Sequence, residues 1–234
     1  MNFAALPERL AHVRAEIARR QATAGRAGPV TIVAVTKGFG LDAVEAALAA
    51  GLADVGENRV QEALEKLDTP TGRRARWHLV GHLQRNKAKH VVGRFALIHS
   101  VDAVELAQEL DKRAGGAAPG VKQRVLLQVN VAGEAQKSGS APGEASVVAH
   151  RIAAQPHLAL EGLMTIAPFT DDQDVQRRTF RALRVLRDAL QEEGLWLPTL
   201  SMGMSADYGL AVEEGATVIR LGTVLFGPRE RAAT

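Results

Sequence analysis

The sequence predicts an α/β fold in which one (β/α)8 barrel of the TIM type takes up residues 1–234 as a single domain, with an extra helix at its N-terminus. Three observations predict it. Strand-like segments alternate with helical segments along nearly the whole chain, eight strands can be counted, and roughly 200 to 250 residues is a usual length for one such barrel. An open, doubly wound sheet and a pair of ordinary domains remain alternatives, because periodicity alone does not distinguish a closed parallel sheet from an open one.

The elements follow one another in a regular order. Charged residues interrupt the apolar ones over residues 1–20, which predicts an amphipathic helix and no signal peptide. The first strand is predicted at residues 30–36, a β-branched run that ends directly before Lys37. Further strands are predicted at residues 54–56, 76–80, 96–99, 124–130, 160–165, 199–201 and 217–221. Helices are predicted at residues 41–50, 58–67, 83–92, 103–114, 145–154, 175–193 and 206–214.

Composition excludes several classes of protein. The chain has no cysteine, which removes disulfides and thiolate chemistry and suits a cytoplasmic protein. No apolar run approaches the roughly 18 residues of a membrane span. The net charge is only +3, and Trp77 is the only aromatic residue beside the arginines at 73, 74 and 76, so no nucleic-acid partner is expected. His78 and His82 are four residues apart, but residues 76–80 are predicted as a strand and Gly81 breaks the geometry, so no metal site is expected.

Lys37 is the first candidate for chemistry. Functional residues of a (β/α)8 barrel gather at the carboxyl ends of its strands, and Lys37 is the only lysine in such a position. An amine held there is partly desolvated, which favours its neutral form and makes it a nucleophile toward an aldehyde. The alternative is a lysine at the rim of the barrel that pairs with a carboxylate such as Glu57.

The loops after the seventh and eighth strands are a candidate phosphate site. The first contains Ser201, Met202 and Ser205, and the second contains Gly222 and Thr223. Barrels most often bind phosphate at these two loops, where small residues let backbone N–H groups approach the oxygens. Ser205 is also expected to cap the next helix, whose N-terminus attracts an anion. A plain glycine-serine turn is the alternative.

Arg220 precedes Gly222 by two residues, so both positions share one face of the last strand. A guanidinium inside a barrel needs a partner, and the ring nitrogen of a bound cofactor could accept its hydrogen bond. Because arginine stays protonated, that nitrogen would remain unprotonated, and the ring would be a poor electron sink. An ion pair with a carboxylate in the barrel is the competing interpretation.

Six segments together resemble one family. They read VAVTK at 33–37, GENRVQE at 56–62, WHLVGHLQRNK at 77–87, GLMTIAP at 162–168, LSMGMS at 200–205 and RLGT at 220–223. The chain is similar over nearly its whole length to the pyridoxal phosphate homeostasis proteins, whose barrel resembles the N-terminal domain of alanine racemase, a fold type III barrel.

The resemblance implies a cofactor, pyridoxal 5′-phosphate (PLP), and residues that hold it. It implies a Schiff base on Lys37, with Ser201, Gly222 and Thr223 around the phosphate and Arg220 at the ring nitrogen. Two further positions, Asn58 and His78, lie in family motifs that line the pocket. One departure is visible, since Gly38, Phe39 and Gly40 stand where many members continue with Thr-Lys-Pro, so a second lysine near the cofactor is absent.

Alanine racemases add a C-terminal β domain that supplies a catalytic tyrosine, whereas this sequence stops at Thr234 and its only tyrosine is Tyr208. We therefore expect a monomeric carrier or regulator of PLP that serves apo PLP-dependent enzymes, without turnover of its own. A PLP-dependent racemase or lyase of narrow scope is the alternative. A class I aldolase, with Lys37 acting on a sugar phosphate, is a third possibility.

Overall fold

The structure is a computed structural model that describes residues 3–117, 120–134 and 136–228. Eight parallel strands close into a barrel in sequence order, with β1 hydrogen-bonded to β8, so the open sheet is excluded. The strands are β1 (Thr31–Val35), β2 (Asp54–Glu57), β3 (Arg76–Leu79), β4 (Leu97–Val101), β5 (Gln123–Gln128), β6 (Leu158–Met164), β7 (Thr199–Ser201) and β8 (Val218–Leu221).

Helices surround the barrel. They are α1 (Leu6–Thr23), α2 (Leu41–Ala49), α3 (Val60–Leu67), α4 (Val104–Ala117), α5 (Ala145–Ala153), α6 (Gln173–Glu192), α7 (Tyr208–Glu213) and α8 (Thr223–Phe226). Three short 3-10 helices lie at Gly72–Arg74, Arg85–His90 and Pro142–Glu144. No helix in the described part of the chain has the length and apolarity needed to cross a membrane.

Alternation along each strand separates the inside of the barrel from the outer core. Val33 and Val35 of β1 form a buried cluster with Val80 and Val218 inside the barrel, whereas Ala34 packs outward in the main core beneath the helices. Continuing the alternation past the end of β1 puts Lys37 on the same inner face as Val35. The strand period therefore directs Lys37 toward the barrel mouth.

The N-terminal extra helix is part of the same core. Leu6, Leu10, Val13 and Ile17 of α1 are buried at spacings of three and four residues, which makes one apolar stripe. That stripe packs against α7 and α8, the two helices that follow the last strands. Of the predicted first helix, residues 1 and 2 lie outside the described residues.

The structure corrects four expectations. The helix predicted at 83–92 is only a 3-10 helix, Arg85–His90, because no side chain caps its start and its first turn has no acidic residue to complement the helix dipole. The helix predicted from 206 begins at Tyr208, and Ser205 does not cap it. Gly222 and Thr223 were predicted to lie in a loop, but Thr223 begins α8, and α4 continues three residues past its predicted end, to Ala117.

Candidate functional site

Lys37 lies in a tight turn at the carboxyl end of the barrel. The amide of Phe39 donates to the carbonyl of Thr36 at 3.0 Å, and Gly38 has a φ of +73°, a left-handed conformation that favours glycine. The Lys37 side chain is half-buried. The turn therefore presents the amine at the barrel mouth while its backbone curves away toward α2.

Three charged residues, here called the Lys66 cluster (Glu57, Glu62 and Lys66), fix the backbone on both sides of Lys37. The ammonium of Lys66 donates to Glu57 Oε1 at 2.6 Å and to the carbonyl of Thr36 at 3.0 Å. The hydroxyl of Thr36 also donates to Glu57 Oε1, at 2.6 Å. On the other side, the amide of Gly38 donates to Glu62 Oε1 at 2.6 Å. The Lys66 cluster thus anchors the residues before and after Lys37.

Glu57 was the alternative partner considered for Lys37. Its carboxylate lies outside the barrel wall, fully buried, where Oε1 accepts from Lys66 and Thr36. Burial raises the pKa of Glu57, and its hydrogen bonds with Lys66 and Thr36 oppose that shift only in part. Glu57 is therefore a structural group of the Lys66 cluster, which reasoning from the sequence missed.

Phe39, one of the three residues that differ from the Thr-Lys-Pro segment of many family members, has a packing role. The Phe39 ring is buried and lies 5.8 Å from the ring of Phe3 and 5.4 Å from that of Phe226, between ring centroids. Phe3 and Phe226 contact each other at 5.5 Å. These three rings join the Lys37 turn to the N-terminus and to α8.

The candidate phosphate site forms where Ser205 meets the start of α8. The hydroxyl oxygen of Ser205 accepts from the backbone amides of Gly222 at 3.2 Å and Val224 at 3.3 Å. Thr223 lies between these two amides and is exposed. A Cβ on Gly222 would be 3.5 Å from the carbonyl oxygen of Val35, so this site adjoins the end of β1, two residues from Lys37.

The loop from Met202 to Ser205 is held by contacts that the sequence did not reveal. Asp207, which is buried, accepts from the amide of Met204 at 2.5 Å, and burial raises its pKa. Gly203 has a φ of +94°, and a Cβ there would lie 2.6 Å from the Cβ of Ala211. The side chain of Met202 is fully buried in the main core, and its amide donates to the carbonyl of Val218. Met202 was predicted to bind the cofactor, and its side chain points away from the site.

Arg220 lies inside the barrel, below the candidate phosphate site. Two of its guanidinium nitrogens, Nη1 and Nη2, donate to Ser201 Oγ at 2.7 Å and to the carbonyl of Thr165 at 2.8 Å. These partners are neutral, in contrast to the carboxylate of the competing interpretation. Burial lowers the pKa of Arg220 to about 10, so the group is still charged at neutral pH.

Ser201 and His78, both predicted to contact the cofactor, are buried beneath the mouth. Ser201 is fully buried and hydrogen-bonds to Arg220 and, at 2.8 Å, to Nδ1 of His99. Both ring nitrogens of His78 are engaged, Nδ1 with His99 at 2.9 Å and Nε2 with Asp54 at 3.0 Å. Ser205, rather than Ser201, is therefore the hydroxyl beside the candidate phosphate donors.

Asn58 follows β2 at the mouth and is half-buried. A Cβ on Gly81 would come within 2.3 Å of its carbonyl oxygen, so glycine is required where β3 ends against Asn58. His82 faces Asp102, with 3.6 Å between Nδ1 and Oδ2. It therefore does not join His78, and no three metal-ligating side chains come together within the described ranges.

The position of Tyr208 bears on the racemase alternative, and that of Trp77 bears on nucleic-acid binding. Tyr208 lies on the outside of the barrel, where burial raises its pKa and Glu16 and Arg20 of α1 are the nearby charges. It does not face Lys37. Trp77 is buried, with its indole N–H donating to the carbonyl of Gly72, so it offers no stacking surface beside the arginines.

The donors at the mouth fit a planar aldehyde that carries a phosphate. The hydroxyl of Ser205, which accepts from the amides of Gly222 and Val224, supplies a neutral donor for a phosphate, Lys37 supplies an amine, and Arg220 supplies a fixed cation below them. This donor set suits PLP in each of its parts. It defines a class of protein, the alanine racemase N-terminal domain family, to which the chain belongs, since the model of that family matches residues 9–230.

Within that class, the curated relatives identify a narrower family. A pyridoxal phosphate homeostasis protein from Pseudomonas aeruginosa is 42% identical over 230 residues and covers 97% of both chains. Another from Aquifex aeolicus is 45% identical over 181 residues, which is 77% of this chain and 78% of that protein. The chain is a member of the pyridoxal phosphate homeostasis protein family, and the resemblance inferred from its motifs is confirmed.

Solved structures agree with this assignment. PipY from Synechococcus elongatus, solved with PLP bound, is 38% identical, with a TM-score of 0.81, and covers 95% of this chain and 100% of that chain. An alanine racemase from Clostridium difficile is 15% identical, with a TM-score of 0.74, and covers 92% of this chain and 59% of that chain. The second likeness concerns the barrel alone.

Proposed function

We propose that this protein binds PLP as a Schiff base on Lys37 and takes part in PLP and amino-acid homeostasis in the cytoplasm, without turnover of its own. One observation carries the proposal: Lys37 and the Ser205–Gly222 donors share one edge of the barrel mouth, with Arg220 fixed beneath them. The structure of PipY with PLP bound and the names of the curated relatives support the choice of cofactor.

In this proposal Ser205, Gly222 and Thr223 hold the phosphate, Asn58 borders the pocket, and Arg220 faces the ring nitrogen. PLP acts as an electron sink when bound to an amine. A guanidinium that remains charged opposite the ring nitrogen disfavours protonation there, which weakens the sink. Tyr208 lies outside the barrel and is not available as a general base. Both features favour binding over catalysis.

Borohydride reduction followed by mass spectrometry tests the Schiff base. Protein loaded with PLP should gain one pyridoxyl phosphate mass on the peptide that contains Lys37, and Lys37→Ala should lose both this adduct and the visible absorption band. Lys89→Ala is the matched control, because Lys89 is an exposed lysine of the 3-10 helix Arg85–His90. A protein that is never modified at Lys37 at saturating PLP would refute the assignment and revive the aldolase.

A second experiment separates carrier from enzyme. Loaded protein is mixed with an apo PLP-dependent enzyme, and recovery of that enzyme's activity is followed; transfer is the expected result. In parallel, the loaded protein is incubated with single amino acids in deuterated water. Exchange of the α-proton faster than with free PLP would support the alternative, a racemase or lyase, which the alanine racemase fold allows.

A further inference from the structure

A line of five hydrogen-bonded side chains crosses the inside of the barrel. We call it the barrel relay: Arg220, Ser201, His99, His78 and Asp54. Nη1 of Arg220 is 2.7 Å from Ser201 Oγ, and Ser201 Oγ is 2.8 Å from His99 Nδ1. Nε2 of His99 is 2.9 Å from His78 Nδ1, and His78 Nε2 is 3.0 Å from Asp54 Oδ1. Each contact has the length of an ordinary hydrogen bond.

The relay connects the two ends of the barrel. Ser201 and Arg220 lie at the carboxyl ends of β7 and β8, whereas Asp54 is the first residue of β2, at the amino end. There Asp54 also accepts two hydrogen bonds from Arg76, at 2.8 and 2.6 Å. Although burial acts to raise it, the pKa of Asp54 is lowered by its hydrogen bonds with Arg76 and His78, so the far end of the relay is an anion.

The chemistry of the two ends sets the direction of every hydrogen bond. An ionised carboxylate only accepts, so His78 donates to Asp54 from Nε2. The direction between the two imidazoles follows from the Arg220 end: Ser201 accepts from Arg220 and has its one proton left for Nδ1 of His99, so a neutral His99 donates from Nε2 to Nδ1 of His78. Burial, together with the positive charges of Arg220 and Arg124, lowers the pKa of His99 well below its ordinary value, so His99 is neutral and accepts at Nδ1. The hydroxyl of Ser201 must donate to it.

The hydrogen bonds at the Arg220 end of the barrel relay run in the same direction. A guanidinium has no acceptor, so Arg220 can only donate to Ser201, whose single proton is then left for His99. All four hydrogen bonds point from Arg220 toward Asp54. The opposite direction along the two imidazoles would require a second proton on His78, beside Asp54.

A polar line of this kind is not needed to fill a barrel. Leu97, Leu126 and Met164 occupy the neighbouring interior positions with apolar side chains. Replacing buried polar networks with apolar groups of similar volume is often neutral or stabilising. The retained polar groups therefore point to a role at the end that reaches the candidate cofactor site.

We propose that His99, His78 and Asp54 are positioning residues that act through Ser201 to hold Arg220 in one orientation, as a donor beneath the ring of the bound cofactor. The part of this inference that concerns the ring rests on the proposed function. The proton of Ser201 is committed to His99, so Ser201 is not a phosphate donor, and the guanidinium is held on two sides, by Ser201 and by Thr165.

Nitrogen-15 NMR of the cofactor-free protein tests the relay directly. Correlation spectra of the imidazoles should show His99 and His78 both with a bare Nδ1 and a protonated Nε2, at neutral pH. The variants His99→Gln and His78→Asn assign the signals. A protonated Nδ1 on His99, or a doubly protonated His78, would overturn the proposed direction. This measurement uses no PLP, so it stands apart from any failure of the Schiff base on Lys37.

Variants of His99 test the positioning role. His99→Leu keeps the volume but removes both hydrogen bonds, and we expect PLP affinity to fall by about tenfold, the effect of losing one charge-assisted hydrogen bond. The pH midpoint of the visible absorption band should also shift. His99→Gln can donate and accept, so it should restore most of both properties. His150→Leu, at an exposed histidine of α5, is the control.

A merely structural role would lower the stability of His99→Leu without moving the pH midpoint of the band. If the folded His99→Leu protein binds PLP with unchanged affinity and an unchanged midpoint, the positioning role is wrong. If the wild-type protein itself forms no adduct on Lys37, the proposed function fails, while the NMR result on the relay still stands.

Discussion

Removing the ammonium of Lys66 should destabilise the protein in a way that depends on pH. Lys66→Met keeps most of the side-chain volume but leaves the carboxylate of Glu57 fully buried, with one hydrogen bond from Thr36 and with Oε2 without a partner. Breaking a buried ion pair on one side costs about 3 to 5 kcal/mol. The pair is close, with 2.6 Å between Lys66 Nζ and Glu57 Oε1.

Protonation of Glu57 limits that cost. The ordinary pKa of the group is 4.5, so keeping it neutral at pH 7 costs about 3.4 kcal/mol, at about 1.4 kcal/mol per pH unit. In Lys66→Met the folded state binds a proton that the unfolded state releases above pH 4.5. The free energy of unfolding should therefore be about 3 kcal/mol below wild type at pH 7, and the deficit should shrink by about 1.4 kcal/mol per unit as the pH falls toward 5.

Urea denaturation of the cofactor-free protein between pH 5 and 7.5 measures this deficit. The double variant Lys66→Met with Glu57→Gln has no buried charge, so it should be more stable than Lys66→Met alone at pH 7 and should lose the additional pH dependence. A Lys66→Met protein within about 1 kcal/mol of wild type at pH 7 would refute the reasoning. A double variant that is no better than the single one would do so as well.

Two further predictions concern the barrel mouth and its interior. Phe39→Ala should lower the free energy of unfolding by about 3 to 5 kcal/mol, because it leaves a cavity between the rings of Phe3 and Phe226. Phe39→Leu should lower it by less than about 1.5 kcal/mol. Equal urea midpoints for the two variants would contradict this prediction. Burial, with the positive charges of Arg220 and Arg124 nearby, keeps His99 neutral in the folded state, so the stability that depends on a neutral His99 is present above the ordinary pKa of histidine and is lost as pH falls. Below about pH 6.5, stability should fall by up to about 1.4 kcal/mol per pH unit through this group, and His99→Leu should show a smaller slope under the same urea titration.

Much of the site could be predicted from the sequence because it depends on strand ends. Lys37 follows a run of β-branched residues, and the period of two carries it to the inner face without any knowledge of the neighbouring strands. Ser205, Gly222 and Thr223 were predicted by the same rule, since parallel strands end at one rim. The family motifs then supplied the cofactor.

Other residues could not be assigned because their partners are distant in the chain. His99 contacts Ser201 across 102 residues, and nothing in the local sequence of either residue indicates the other. Glu57 appeared as one more polar residue at a strand end, although its carboxylate pairs with Lys66 on the outer side of the barrel wall. Ser201 was assigned to the phosphate and Ser205 to a helix cap, and only the position of α8 shows that Ser205 is the serine beside the amides of Gly222 and Val224.

The sequence by itself determined the order and number of strands, the lysine at the mouth and the family, because alternation, turn residues and motifs are local properties. The tertiary structure alone decided the closure of the barrel between β1 and β8, the outward pairing of Glu57 with Lys66, and the barrel relay. These features depend on which strands become neighbours when the sheet closes. A hydrogen bond between side chains exists only once that packing has brought donor and acceptor within about 3 Å.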